Sequence, residues 1–359
     1  MANLIPQINA VLSKELQALI YFLGYWSQKN RFKVYGMGGF VRDLILGREN
    51  RVIALLVKNS AVDFARSLGE IFPAGRLRYN EKLGTATMFL PQGIVFDMVT
   101  ARKEFYSLTG AAAVTEGTAL KNELYRKNFT INTMACAFNP LEFGWLYDFF
   151  GGRDDLESGL VRVLYRLSFV DDPCLMLQAI RFEQRFDFSM EKETKTLLYK
   201  ARNSGLLKKI SKERLYSEAR LIFLEPSPLK VLMRLEELNL FRLLFPRLVL
   251  NEETKFRLQR FEQIFKDLQF DNSFGTDLDY IALFLAVLFN QLSDHDSRYL
   301  CYLLRLRRRE RQKILFIREN LQPTLNSILE DYEEEEEGRE EQLALINLWL
   351  KKYGSIQYQ

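Results

Sequence analysis

The chain has 359 residues, a formal net charge of +4 at neutral pH, and 48% hydrophobic and 27% charged residues. That length suits two or three domains with well-filled cores, and no run of about 18 uninterrupted apolar residues is present to cross a membrane. Three scattered cysteines (Cys136, Cys174, Cys301) and one histidine, His295, exclude a structural zinc site, which needs four organised N or S ligands.

The N-terminus lacks a cationic flank ahead of an apolar core and cleavage site, so a cytoplasmic protein is expected. The net charge conceals a split. From residue 321 onward nine acidic residues face three basic ones, a balance of −6, which leaves +10 on the first 320 residues. Such a field favours a polyanionic partner, although a solvated basic surface has the same composition.

Apolar residues recur at helical spacing from residue 6 to about 29 (Ile8, Val11, Leu12, Leu16, Leu19, Ile20, Leu23), which predicts one helix. Next comes Val34-Tyr35-Gly36-Met37-Gly38-Gly39-Phe40-Val41-Arg42-Asp43-Leu44-Ile45-Leu46-Gly47, followed at once by the apolar run from Arg51 to Val57. It reads as strand, tight turn, helix, strand. Gly38 and Gly39 would let backbone N–H groups approach an anion at a helix start, and Arg42 adds a forked cation suited to phosphate oxygens. A glycine pair by itself more often marks only a turn.

The string from Gly38 to Gly47 resembles the first motif of the class II tRNA nucleotidyltransferase and poly(A) polymerase family, whose members add nucleotides to RNA 3′ ends without a template. The resemblance implies an α+β fold. A small polymerase-β-like nucleotidyltransferase head with a mixed sheet is expected over residues 1–150. A helical neck (151–210), a helical RNA-binding body (211–320) and an acidic tail (321–359) should follow. In that family the next strand carries two aspartates, one residue apart, that hold the metal ions of catalysis. Here Val52 and Ala54 stand at those positions. Mg²⁺ requires hard oxygen ligands, and neither residue has one, so the strand pattern persists without its chemistry. No cofactor is expected, with Mg²⁺ entering only if activity persists.

Residues 61–68 read as a helix, then 83–90 and 94–99 as strands joined by a turn at Pro91-Gln92-Gly93. Asp97 is a residual carboxylate there, readable as a third metal ligand or as a polar strand residue. Residues 103–120 lack periodicity and match the flexible loop that the family places beside its active site. The stretch from Tyr125 to Ala135 (Tyr-Arg-Lys-Asn-Phe-Thr-Ile-Asn-Thr-Met-Ala) is similar to a family motif in which an aspartate helps hold the ribose. Asn128 takes that aspartate's place, Asn132 is retained, and Arg126 is one of the two basic residues.

The stretch from Leu146 to Leu156 resembles the family's link from head to neck, and the match runs on to Phe182. In working enzymes an acidic pair followed three residues later by arginine reads the edge of the incoming base. Asp171 and Asp172 preserve the pair, but Leu175 replaces that arginine and Gln178 a second one. Leucine cannot donate to a base. Asp172 before Pro173 would also serve simply as a helix start. The resemblance thus gives Gly38, Gly39, Arg42, Arg126, Asn128, Asn132, Asp171, Asp172 and Arg181 as candidate nucleotide-binding residues, and no metal ligand set.

Beyond residue 187, helical spacing recurs over 192–202, 212–224, 228–238, 253–268, 278–289 and 298–319. Two basic clusters fall here: Lys208, Lys209, Lys212 and Arg214, then Arg305, Arg307, Arg308, Arg309, Arg311 and Lys313. They suit the phosphates of an RNA duplex, and the family's body and tail grip tRNA, although a solvated helix face is the plainer alternative. His295-Asp296 is expected to be a surface pair, and the Glu333–Glu337 run a solvated or disordered tail.

Three functions stay open. The first is an RNA-binding family member with lost or reduced catalysis. The second is an active enzyme adding C or A to tRNA 3′ ends with an altered site that uses Asp97 and Asp43. The third is a non-catalytic scaffold supporting an active paralogue. Expected partners are tRNA or other structured RNA, a nucleoside triphosphate and such a paralogue, and no membrane.

Overall fold

Apolar spacing continues across Leu12 and Ser13, yet the first helix stops there. The Ser13 N–H is drawn to the Glu49 carboxylate at 2.6 Å, and Gln17 donates its amide to the carbonyls of Asn9 and Leu12. The expected single helix is therefore two, α1 (Ile5–Val11) and α2 (Lys14–Lys29). The computed structural model describes residues 2–73, 75–101, 116–270 and 280–331. It divides into two units, Met1–Ser168 with Ser189–Thr196, and Phe169–Phe188 with Leu197–Gln359.

The first unit is built on a seven-stranded mixed sheet in the order β3-β4-β5-β2-β1-β6-β7. Its strands are β1 (Val34–Met37), β2 (Val52–Val57), β3 (Arg76–Asn80), β4 (Thr85–Phe89), β5 (Val95–Thr100), β6 (Met134–Ala137) and β7 (Leu146–Asp148). Within this sheet the described neighbours β2 and β5 run parallel, placing Val52 opposite Val95 and Ala54 opposite Asp97. The inner strands β1, β2 and β6 are apolar and buried except at the start of β2, where Val52 is exposed. The edge strand β3, Arg-Leu-Arg-Tyr-Asn, is not among the expected strands: only Leu77 and Tyr79 alternate with its polar residues, and it is largely exposed.

Helices α3 (Gly39–Ile45) and α4 (Ala61–Ile71) follow β1 and β2, and Ser60 caps α4 by accepting from the Asp63 N–H at 3.1 Å. Helix α5 (Glu116–Tyr125) lays Leu120 and Leu124 on Tyr35, Met37, Leu56, Ala135 and Ala137, with Ala54 and Val99 at the margin. The loop expected over 103–120 lies outside the described residues as far as 115. Asp148 accepts from the N–H groups of Gly152 and Arg153 at 2.9 and 2.8 Å and so starts α6 (Gly152–Glu157). A two-stranded pair, β8 (Leu160–Val161) and β9 (Ser189–Met190), completes the unit.

The second unit is helical: α7 (Ser168–Asp171), α8 (Leu175–Phe186), α9 (Lys192–Asn203), α10 (Lys212–Ile222), α11 (Pro228–Glu237), α12 (Phe241–Leu244), α13 (Glu252–Phe270), α14 (Tyr280–Leu288), α15 (Asp294–Leu303) and α16 (Arg308–Asp331). Phe223, Phe245 and Phe284 meet at ring-centroid distances of 6.0 and 6.1 Å in its core. The helix expected over 298–319 is two helices. α15 ends at Leu303 with Leu304 as its cap, Arg305 takes a left-handed φ of 52°, and Glu310 restarts the chain by accepting the Arg307 N–H at 2.6 Å. No described helix is long and apolar enough to cross a membrane, and the Glu333–Glu337 run lies outside the described residues.

Candidate functional site

At the end of β1 the chain turns at Gly38, whose φ of 65° and ψ of −130° favour glycine. Its N–H donates to the Met134 carbonyl at 3.0 Å, tying the turn to β6. Arg42, only 5% exposed, reaches back along α3. Its Nη1 donates to Asn132 Oδ1 at 2.7 Å and its Nε to Asp43 Oδ1 at 2.8 Å. Asn50 then donates to the other Asp43 oxygen at 2.7 Å and accepts the Val52 N–H at 2.8 Å. A chain of polar contacts thus runs from the glycine turn to the first residue of β2. Arg42 holds this turn rather than presenting an open fork to a phosphate, and Asp43 is its ion-pair partner.

Val52, 46% exposed, and Ala54 lie one residue apart on the same face of β2. Beside Ala54 in register is Asp97, exposed and accepting from Thr87 Oγ1 at 2.8 Å. The charges of Asp97 and Glu123 both act on Lys127, but burial is the larger influence and pushes the Lys127 ammonium below its usual range. This donor set does not fit a pair of metal ions: β2 and β5 together carry one carboxylate, and a lysine stands within its field. Among the described residues, no group of three or more His, Cys, Asp or Glu side chains is placed to hold a metal.

The remaining expected nucleotide residues fall in different settings. Asn128 adopts φ 66°, a left-handed backbone that asparagine tolerates, and its carbonyl accepts the Leu164 N–H at 3.1 Å. Asn132 is buried against Arg42, while Arg126 is exposed. These belong to the first unit.

Asp171, Asp172 and Arg181 belong to the second unit. Asp171 is exposed. Asp172 accepts the Cys174 N–H at 3.2 Å, the helix-start role, and also pairs with Arg214. Leu175 is buried and Gln178 partly so. Arg181 donates from Nε to Glu225 Oε1 at 2.6 Å, and Arg185 Nη2 reaches the same oxygen at 2.7 Å. The Glu225 side chain is 1% exposed, and Arg234 grips Glu183 at 2.7 Å from the next helix. Helix α8 is thereby tied by its arginines to Glu225, in the loop between α10 and α11, and by Glu183 to Arg234 of α11.

The two basic clusters divide. Lys208 and Lys209 are exposed on the turn before α10, and Lys208 lines a cleft of about 410 Å³ with Arg202 and Arg242. Lys212 and Arg305, 93 positions apart in sequence, line one other cleft. Arg307, Arg308 and Arg309 are exposed at the start of α16. His295 is exposed and lies 3.5 Å from Asp296, the surface pair expected, with Arg247 bound to both. Residue spacing passed over Lys127, Tyr216 and Tyr302. Lys127 lies inside a motif read for its neighbours, and the tyrosines look like ordinary helix positions.

A family model of the poly A polymerase head domain matches residues 34–162, and one described as "Probable RNA and SrmB- binding site of polymerase A" matches 187–250. An A-adding tRNA nucleotidyltransferase of Geobacter sulfurreducens is 35% identical over 313 residues, covering 87% of this chain and 35% of that protein. The chain is also similar to a solved CCA-adding enzyme in an apo form, at 33% identity and TM-score 0.68, over 92% of this chain and 75% of that one. A Thermotoga maritima CCA-adding enzyme complexed with tRNA matches at 30% identity and TM-score 0.68, over 100% and 87% of the two chains.

The sheet and the helices after it are therefore those of a nucleotidyltransferase head with its helical continuation. The chain belongs to the class II tRNA nucleotidyltransferase and poly(A) polymerase family. It spans only about a third of the length of the curated A-adding relative.

Proposed function

We propose that this chain is a cytoplasmic RNA-binding member of its family that grips tRNA or a similarly structured RNA and has lost most or all of the transfer step. The carrying observation is the face of β2, where Val52 and Ala54 carry no ligand atom and a single carboxylate, Asp97, stands opposite Ala54 on the neighbouring strand. In-line transfer needs the attacking hydroxyl and the leaving phosphate clamped by hard cations, and one carboxylate beside Lys127 is a poor holder for two of them. The base-reading positions have changed in the same direction. Leu175 and Gln178 stand where the family has arginines, and the neighbouring Arg181 is spent on Glu225.

The structured half keeps what RNA binding requires. Exposed Lys208, Lys209, Arg307, Arg308 and Arg309 form no ion pair with an acidic side chain among the described residues. We assign the head to residues 1–150, the neck to 151–210 and the RNA-gripping body to 211–320. Any triphosphate would be held at the Gly38-Gly39 turn with little preference among bases.

The test is incubation with labelled tRNA transcripts, each of the four nucleoside triphosphates, and Mg²⁺ or Mn²⁺, with binding measured on the same samples. The expected result is bound tRNA without extension. Metal-dependent addition of C or A to the 3′ end would overturn the loss of transfer and favour the altered-site enzyme, with Asp97 as its ligand. Absence of both binding and extension would favour the scaffold.

A further inference from the structure

The break between α15 and α16 opens a cleft of about 370 Å³ against the start of α10, within the size range of small-ligand sites. Its walls bring Lys212, Arg305 and Arg311 together with the rings of Tyr216 and Tyr302, and Glu213 is the one acidic lining residue. Tyr216 is buried at the wall, and Tyr302 is 69% exposed with a face open to solvent. No described acidic side chain pairs with Lys212, Arg305 or Arg311, although arginines nearby are paired: Arg214 with Asp172, Arg220 with Glu310. Arg305 also keeps its side chain at φ 52°, where glycine is the usual residue.

We propose that this cleft takes one unpaired nucleotide of a bound RNA, its phosphate among Lys212, Arg305 and Arg311 and its base stacked on Tyr302. Three forked or flexible cations suit phosphate oxygens, and an exposed tyrosine beside them suits any nucleobase face. The cleft joins α10, inside the matched RNA-binding segment, to residues 302–311, which lie beyond it. A duplex alone would engage the cations but leave Tyr302 without a base to stack on. The proposal rests on the RNA-binding reading above and adds a site to it.

The experiment compares two hairpin RNAs at low salt, one blunt and fully paired, the other carrying a single unpaired 2-aminopurine, with adenosine monophosphate as the free-nucleotide probe. The unpaired nucleotide should raise affinity about tenfold and its fluorescence should be quenched on binding. Tyr302→Ala should remove both effects and leave binding of the blunt hairpin unchanged. Tyr302→Phe should retain them, and Arg311→Ala should weaken both hairpins. Tyr302 is exposed, so these variants leave the core intact.

Equal binding of the two hairpins, or a Tyr302→Ala variant that still prefers the unpaired nucleotide, overturns the site while leaving RNA binding standing. Binding of adenosine monophosphate without either hairpin would make the cleft a free-nucleotide site and overturn the RNA occupant. Binding of none of the three overturns both readings.

Discussion

Three residues of the head carry the proposal of a lost transfer step. Val52 and Ala54 stand at the positions where the family resemblance places metal ligands, and Asp97, accepting from Thr87 Oγ1, is the one carboxylate on β2 and β5. Restoring the pair tests this directly. In the Val52→Asp/Ala54→Asp double variant three carboxylates crowd one face, so the variant should be less stable than the parent without metal, because like charges raise one another's pKa. Mn²⁺ should then raise its melting temperature, corresponding to about 2.7 kcal/mol at a hundredfold excess over Kd, while the parent shows no shift. Calorimetry showing the same Mn²⁺ shift in both proteins would mean that ligands elsewhere hold the metal.

Lys127 makes a pH prediction on the same face. Burial depresses its folded pKa, so the folded state binds this proton less tightly than the unfolded chain does. The penalty is complete below the folded pKa and disappears as pH rises to the unfolded value of about 10.4. Unfolding free energy should therefore gain a positive slope with pH over that window, and Lys127→Met should reduce it. An identical slope in the variant would remove Lys127 from the account.

At the scale of elements, the helical half is fastened by buried ions. Glu225 serves both Arg181 and Arg185 from a fully enclosed position, so Glu225→Ala leaves two arginines without their shared partner. A loss of about 3–5 kcal/mol is expected in urea unfolding, against less than about 1 kcal/mol for an exposed pair such as Arg153 with Glu157. The α15–α16 break gives the opposite trade. Arg305→Gly should stabilise the protein by about 1 kcal/mol by relieving the left-handed backbone, yet weaken RNA binding by removing a cation.

That break also marks where the sequence stopped being legible. Strands β1, β2, β4 and β5 and helices α4, α9, α10, α11, α13 and α14 follow directly from apolar runs or apolar spacing, because their burial is regular along the chain. The split at Ser13 depends on Glu49, far along the chain, and the split at Arg305 has no glycine or proline to announce it. The candidate site was legible as motif positions only. Motif matching located Arg42 and Arg181 but not their engagement by Asn132 and Glu225, since those pairings depend on residues brought together by folding.

Across the whole molecule, charge is the property that points outward. The first 320 residues carry +10 and the remainder −6, and the exposed arginines at 307–309 sit on the basic part. Each phosphate neutralised by such a residue releases condensed counterions, so affinity for RNA should fall steeply with salt and respond little to sequence.

The most direct measurement is filter binding of a structured tRNA from roughly 50 to 200 mM salt, for the parent and for the Arg307→Glu/Arg308→Glu/Arg309→Glu variant. The parent should bind, with a steep linear fall of log affinity against log salt. The folded variant should bind more weakly, with a slope shallower by up to about 3. No association at the lowest salt, or identical curves for two folded proteins, would contradict it.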